Sequence, residues 1–264
     1  MPLTSYQAEL LKIATSNRRP DSYLAGGAAL HLLPTSIRYS NDLDFFHDSV
    51  ERVAQAFAED REAFVDRGHR VTVDMAQPGY IRALVERDGQ ATKIEWAHDS
   101  AWRFLPCVFL EDVGFVLHPM DLSVNKLLAL VGRDEPRDFL DVIHLHRAVL
   151  PLGALCWAAA GKDPGFSPSS LLELLRRRGK YRPEDFARLH LAQAVDLPSL
   201  KVSWLEALDK AQAFIASRPP QELGCLYYSL SRKVFVEPTG LEPAGEVAPH
   251  FGRPGGVLPR ILED

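Results

Sequence analysis

The sequence predicts an α+β fold: a mixed sheet with helices packed on one side, followed by a helical C-terminal region. Three observations carry this. Residues Tyr23 to Phe46 run strand, glycine turn, helix, strand; three alternating runs follow a single amphipathic helix; and from Asp121 the apolar residues recur at helical spacing.

The elements follow in order. Tyr6, Leu10, Leu11 and Ile13 share one helical face, so Thr4 to Thr15 predicts an opening helix with Thr4 or Ser5 as its cap. Arg18 to Ser22 is a polar turn, Tyr23-Leu24 begins a strand, and Gly26-Gly27 turns the chain into a helix, Ala28 to Leu33, stopped by Pro34. Asp42 to Phe46 is the next strand. Val53, Ala54, Phe57, Ala58 and Phe64 make Val50 to Asp66 amphipathic, ending near Gly68. Alternation then marks strands at Val71 to Val73, Ile81 to Val85 and Ala91 to Ala97, with Gly89 in a hairpin turn.

Helical spacing returns from Asp121 to Val131, breaks at "GRDEP", and resumes from Pro136 to Val149, where Pro136 suits a first turn and Asp134 could cap it. Further helices are expected at Pro168 to Arg178, Pro183 to Val195 and Ser199 to Ala216. "GCLYYSLSRKVFVEP" reads as a late strand pair. Beyond Glu237 the chain is rich in Pro and Gly, and little packed structure is expected there. The expected divisions are residues 1–118, 119–237 and a tail, 238–264.

Composition narrows the function classes. The 264 residues carry a formal charge of -5 and are 46% hydrophobic, the profile of a globular protein with no global pull toward polyanions. An anionic partner must therefore be held by a local patch. Cys107, Cys156 and Cys225 are far apart and without CxxC spacing, which argues against a disulfide framework or structural zinc. The N-terminal stretch lacks a signal peptide's apolar core, and Ala148 to Ala160, the most apolar run, is broken by Pro151 and Gly153 and falls short of the roughly 20 residues that span a bilayer. A cytoplasmic protein with no membrane partner is expected.

Asp42 and Asp44 are two apart on a strand, so their carboxylates share a face while Leu43 and Phe45 point into the core. Two carboxylates about 4 Å apart repel by roughly 4 kcal/mol at an effective dielectric near 20. A hard divalent cation removes that penalty; a merely exposed polar strand end carries the same letters. Gly26-Gly27 lets backbone N–H groups approach an anion closely. Glu95, on the same side of its strand as Lys93 and Ala97, is the first candidate for a third carboxylate, ahead of Asp74 and Glu86; an ordinary exposed strand glutamate is the plainer alternative. "LLELLRRRGKYR", Leu171 to Arg182, is the one dense basic run, either a solvated helix face or, with Arg18-Arg19, a contact for an RNA backbone. His144 and His146 point to opposite sides of a helix, so no metal site is expected there.

"GGAAL" followed fifteen residues after Gly27 by the acid pair of "RYSNDLDFF" resembles the GG then D-x-D signature of the DNA polymerase beta-type nucleotidyltransferases. A second motif, "KLLALVGRDEPRDFLD" from Lys126 to Asp141, is similar to the K-x-x-A-L-x-x-R-x-x-x-R-D-x-x-D of the AbiEii/AbiGii toxin-like nucleotidyltransferases, a nearer resemblance that covers about Tyr23 to His146. Ala28 departs from the Ser or Thr of many relatives.

The resemblance implies a polymerase beta-like catalytic core in residues 1–118, completed by the helical region 119–237. It implies that Asp42, Asp44 and Glu95 bind two Mg2+ ions, with Mn2+ as an alternative. Gly26, Gly27, Ala28, Arg38, Ser40, Lys126 and Asp138 would hold the nucleotide, with Lys126 on substrate phosphate and Asp141 completing the catalytic set. Arg38 could instead brace the acids, Asp138 could serve its helix's amino end or pair with Arg137, and Lys126 could be an ordinary ion-paired lysine. The implied activity is transfer of a nucleoside monophosphate from NTP to an acceptor such as the tRNA 3′ end, by the toxin of a toxin–antitoxin pair with a cognate antitoxin. The alternatives are a nucleotidyltransferase acting on a small molecule and a nucleotide-binding pseudoenzyme.

Overall fold

The computed structural model describes residues 3–32, 38–192 and 194–259. The chain divides into two compact units, Met1–His118 with His190–Gln193, and Pro119–Leu189 with Ala194–Asp264.

The first unit is a seven-stranded mixed sheet with helices. Its helices are α1 (Ser5–Ala14), α2 (Gly26–Leu30) and α3 (Val50–Val65). Its strands are β1 (Ser22–Ala25), β2 (Asp42–His47), β3 (Arg70–Gln77), β4 (Tyr80–Arg87), β5 (Gln90–His98), the two-residue β6 (Trp102–Arg103), β7 (Val108–Leu110) and β8 (Gly114–Val116). The sheet order is β3-β4-β5-β2-β1-β8-β7, with β6 outside it, β2 parallel to β5, β1 parallel to β8 and the other pairs antiparallel.

Local chemistry explains these boundaries. Thr4 and Gln7 form a reciprocal capping box at the start of α1, and the Ser49 side chain accepts from the Arg52 N–H to open α3. Asp88 and Gly89 both take positive φ, 52° and 76°, which matches the two-residue turn joining β4 to β5. Helix α2 begins at Gly26, two residues before its sequence-predicted start. The expected stop at Pro34 lies outside the described residues.

Leu43, Phe45, Ile94 and Trp96 form the centre of this core with Val53, Ala56 and Phe64 of α3 and Leu10 and Leu11 of α1. Arg18 belongs to it as well. Its guanidinium lies 4.1 Å over the Phe45 ring and pairs with Asp60, both side chains being 0% exposed. Asp60 also accepts from Trp96 Nε1 at 2.7 Å and Asn17 Nδ2 at 2.9 Å. This corrects the expectation that Arg18 is an exposed contact for RNA: its side chain is drawn inward because Asp60, on the buried side of α3, needs a cation, while Arg19, Pro20 and Asp21 of the same turn stay exposed.

The second unit is helical with a small sheet. Its helices are α4 (Pro119–Arg133), α5 (Pro136–Ala148), α6 (Leu152–Lys162), α7 (Pro168–Arg176), α8 (Pro183–Phe186) and α9 (Leu197–Ser217). The apolar run broken by Pro151 is α6, buried from Leu152 to Ala160, as expected of a helix that is hydrophobic all round. No single helix among the described residues is long and apolar enough to cross a membrane.

Three expectations are corrected here. Asp134 does not cap α5: Glu135 holds the cap position, and Asp134, at φ 49°, accepts from the Tyr181 hydroxyl and Arg178. The helix expected from Pro183 to Val195 ends at Phe186. Beyond Glu237 the chain is not without packed structure, since β11 (Val247–His250) pairs with β9 (Leu226–Ser229), whose other neighbour is β10 (Val234–Val236). Pro249 is tolerated because β11 is an edge strand of that sheet.

The Asp60 cluster yields a stability prediction. Asp60→Ala strands a buried guanidinium and the indole N–H, and should cost about 3–5 kcal/mol in urea denaturation. Adding Arg18→Met should restore part of that loss; no restoration would mean the ion pair is not what the first change breaks.

Candidate active site

Strands β2 and β5 run side by side with Asp42 against Lys93, Asp44 against Glu95 and Phe45 against Trp96. Alternation sends Leu43, Phe45, Ile94 and Trp96 into the core, so Asp42, Asp44, Lys93 and Glu95 share the opposite face. The predicted third carboxylate thus lies directly beside the D-x-D pair. Asp74 is on edge strand β3, exposed, and accepts from Arg82 Nε at 2.7 Å; Glu86 pairs with Arg70.

The glycine turn meets this face through the antiparallel register of β1 and β2, which sets Ala25 opposite Asp44. Gly26 follows at once, and a Cβ on it would fall 1.8 Å from Asp44 Oδ2. Its φ of 61° also lies in the left-handed region. Only glycine meets both demands. A Cβ on Gly27 would lie 2.8 Å from Ser40 Oγ and 3.3 Å from Arg38 Nη2, so both glycines seat the backbone against side chains of the same motif.

Ser40 and Arg38 are buried. The Ser40 hydroxyl donates to the Asp42 carbonyl oxygen at 3.0 Å and lies 3.3 Å from Asp42 Oδ1. Gln7 Nε2 donates to the Ser40 carbonyl oxygen at 3.0 Å, tying α1 to the segment that leads into Asp42. Arg38 Nη1 donates to the Tyr39 carbonyl oxygen at 3.1 Å, and residue 38 bridges to Leu191. Ala28, the next residue of the turn, is buried, as Gly27 is. Helix α2 has only five residues, so few peptide dipoles align behind the turn. Beside Ser40 and Asn41 a cleft of about 570 Å3 opens, with Tyr39 and Thr92 on its walls.

Lys93 is the residue whose part sequence reasoning missed. Its Nζ lies 3.0 Å from Asp42 Oδ2 and 3.0 Å from Glu95 Oε1, a single ammonium bridging acids on two strands. Burial works against its charge, yet hydrogen bonds to Asp42 and Glu95 outweigh this and hold the ammonium above its usual range. Tyr80 also hydrogen-bonds to Glu95; burial first, and then that carboxylate's charge, raise the phenol. The available signal was the i, i+2 spacing of Lys93 and Glu95 in "KIE".

In the helical unit the second motif forms its own charge cluster. Lys126 Nζ lies 2.9 Å from Asp141 Oδ2 and 3.8 Å from Asp138 Oδ1, and all three side chains are buried. Asp138 also accepts from Arg133 Nε at 2.6 Å and Nη2 at 2.9 Å. Of the basic run, Arg176 bonds to Gln212 and Arg178 to Asp134 and the Val131 carbonyl, while Arg177, Lys180 and Arg182 are exposed.

Asp42, Asp44 and Glu95 fit a divalent ion in kind, as hard oxygen donors on one face. Among the described residues, however, no three His, Cys, Asp or Glu side chains close on a common point. The ammonium of Lys93 stands between two of these donors.

The family model described as nucleotidyl transferase AbiEii toxin of type IV toxin–antitoxin systems matches residues 9–218. No curated protein matches the sequence. The structure is similar to that of JHP933 from Helicobacter pylori, with TM-score 0.50 and 19% identity over 81% of this chain and 95% of that one. It is also similar to MenT4, a nucleotidyltransferase toxin from Mycobacterium tuberculosis, with TM-score 0.53 and 17% identity over 82% and 83% of the two chains. At these identities the likeness to the solved structures is one of fold.

The steric fit at the turn generates a prediction. Gly26→Ala should cost about 1–2 kcal/mol from the left-handed backbone alone, and should also push Asp44 aside. Gly27→Ala, which meets a hydroxyl and no carboxylate, should cost less. Urea titration of both variants checks the order, and equal losses would mean the Asp44 contact is not limiting.

Proposed function

Because this chain belongs to the AbiEii nucleotidyltransferase toxin family, we propose that it is a metal-dependent toxin that transfers a nucleoside monophosphate from NTP to RNA, with the tRNA 3′ end as acceptor. The nucleotidyltransferase activity comes with the family. The observation that carries the site assignment is the placement of Asp44 beside Glu95 on one face with the Gly26 backbone packed against Asp44.

Asp42, Asp44 and Glu95 would hold Mg2+ or Mn2+. Such ions neutralise triphosphate charge and make an acceptor hydroxyl easier to deprotonate. The rest falls to the protein. The Ser40 hydroxyl, bonded to the Asp42 carbonyl oxygen and 3.3 Å from its Oδ1, helps to orient that acid before any ligand arrives. Gly26 and Gly27 let phosphate oxygens approach backbone N–H groups. Lys126 is assigned to substrate phosphate, with Asp141 positioning it.

The acceptor hydroxyl gives up its proton to solvent and attacks the α-phosphorus in line, and the bond to the leaving pyrophosphate breaks. Positioning and charge neutralisation supply most of such a rate enhancement. With an overall charge of -5, the protein must grip RNA locally, and the exposed Arg177, Lys180 and Arg182 support that reading. A cognate antitoxin is the expected protein partner.

Incubation of the purified protein with each labelled NTP, Mg2+ and total tRNA tests the proposal. Label should move to RNA, and Asp42→Ala with Asp44→Ala should reduce this by at least about 10²–10³-fold. Label that moves only to small hydroxyl compounds would overturn the RNA acceptor; transfer that persists in the double variant would overturn the site.

A further inference from the structure

Resting on the site proposed above, we infer that Lys93 is a tethered placeholder cation: it holds Asp42 and Glu95 together before metal arrives, competes with the divalent ion for them, and is displaced when the ion binds. Three observations converge. The ammonium touches both acids at the same distance, 3.0 Å, so it lies where an ion shared between the strands would lie. The Lys93 side chain is 41% exposed and leaves the sheet beside exposed Leu84, its cross-strand neighbour, so it can swing outward without disturbing the core. Asp44, the remaining acid, is packed over Gly26 and does not close with the other two on one point.

The physical logic is that of counter-ion competition. Three carboxylates on one face repel one another, and the nearest tethered cation settles between them. Backbone register makes this unavoidable, because Lys93 stands directly opposite Asp42 and two residues before Glu95. A divalent ion recovers more Coulomb energy from the same oxygens, but must first displace the ammonium. The consequence is a substrate-free protein whose acid face is ordered while its metal affinity is held down.

Binding of Mn2+ to the substrate-free protein, followed by electron paramagnetic resonance, tests this on wild type, Lys93→Met and Lys93→Gln; the glutamine variant serves if the methionine variant does not fold. Removing a unit charge about 4 Å away should tighten Mn2+ binding at least roughly tenfold, the low end for a half-exposed cluster. In EDTA the variants should melt below wild type, and saturating Mn2+ should close the gap. Amine labelling of wild-type Lys93, read by mass spectrometry, should accelerate when Mn2+ is added.

Equal Mn2+ affinity in wild type and variants, or Lys93 labelling that slows with Mn2+, would overturn the placeholder while leaving the metal site intact. If neither wild type nor variants bind Mn2+, and Asp42→Ala behaves like both, the metal site itself falls and the placeholder with it.

Discussion

One alignment organises the sheet unit: the parallel register of β2 on β5. It places Phe45 against Trp96 on the core side and Asp44 against Glu95 on the other. A slip of one residue would turn over the set of the strand that moved, burying its carboxylate and exposing its aromatic. The core side is where the register is fixed. Trp96 donates to Asp60 from α3, Arg18 lies over Phe45, and the two partners close a buried ion pair between them. The acids hold their positions because the opposite face of the same strands cannot move.

Each acid cluster carries its own cation, at a different degree of burial. Arg18–Asp60 is sealed and surrounded by further hydrogen bonds, an arrangement costly to break and suited to structure. In the helical unit Lys126 and Arg133 serve Asp141 and Asp138, also buried. Lys93 differs because its side chain is 41% exposed while its two partners are largely covered. Exposure on the cation's side lowers the cost of separating the ions. A pair built this way can exchange one cation for another, which a sealed pair cannot.

Much of this was legible in the sequence. The period-2 runs located β4 and β5 and put Glu95 on the face away from the core, because a strand with one buried side shows its alternation plainly; β3, found from Val71 to Val73 by its letters, has no buried residue. Glycine and acid motifs announced the turn and the pair, since few other residues could occupy those positions. Arg18 was misread because an arginine in a polar turn has the letters of a solvent contact, and its partner Asp60 is forty-two positions away. Helix α6 gave no periodic signal because it is buried on all sides. The short α8 and the strand β11 depend on tertiary neighbours, which overrode helical letters in the first case and a proline in the second.

The glycine pair and the acid pair are better regarded as one steric object than as two motifs. Antiparallel pairing sets Ala25 opposite Asp44, so the residue after Ala25 must pass beneath that carboxylate, where there is no room for a Cβ. The same turn brings Gly27 against Ser40, which in turn orients Asp42. The path of the glycine backbone and the placement of the Asp44 carboxylate are therefore fixed by a single packing arrangement. A side chain at Gly26 would disturb the acid it lies under as well as the turn it belongs to, which is why the two signals occur together in this sequence.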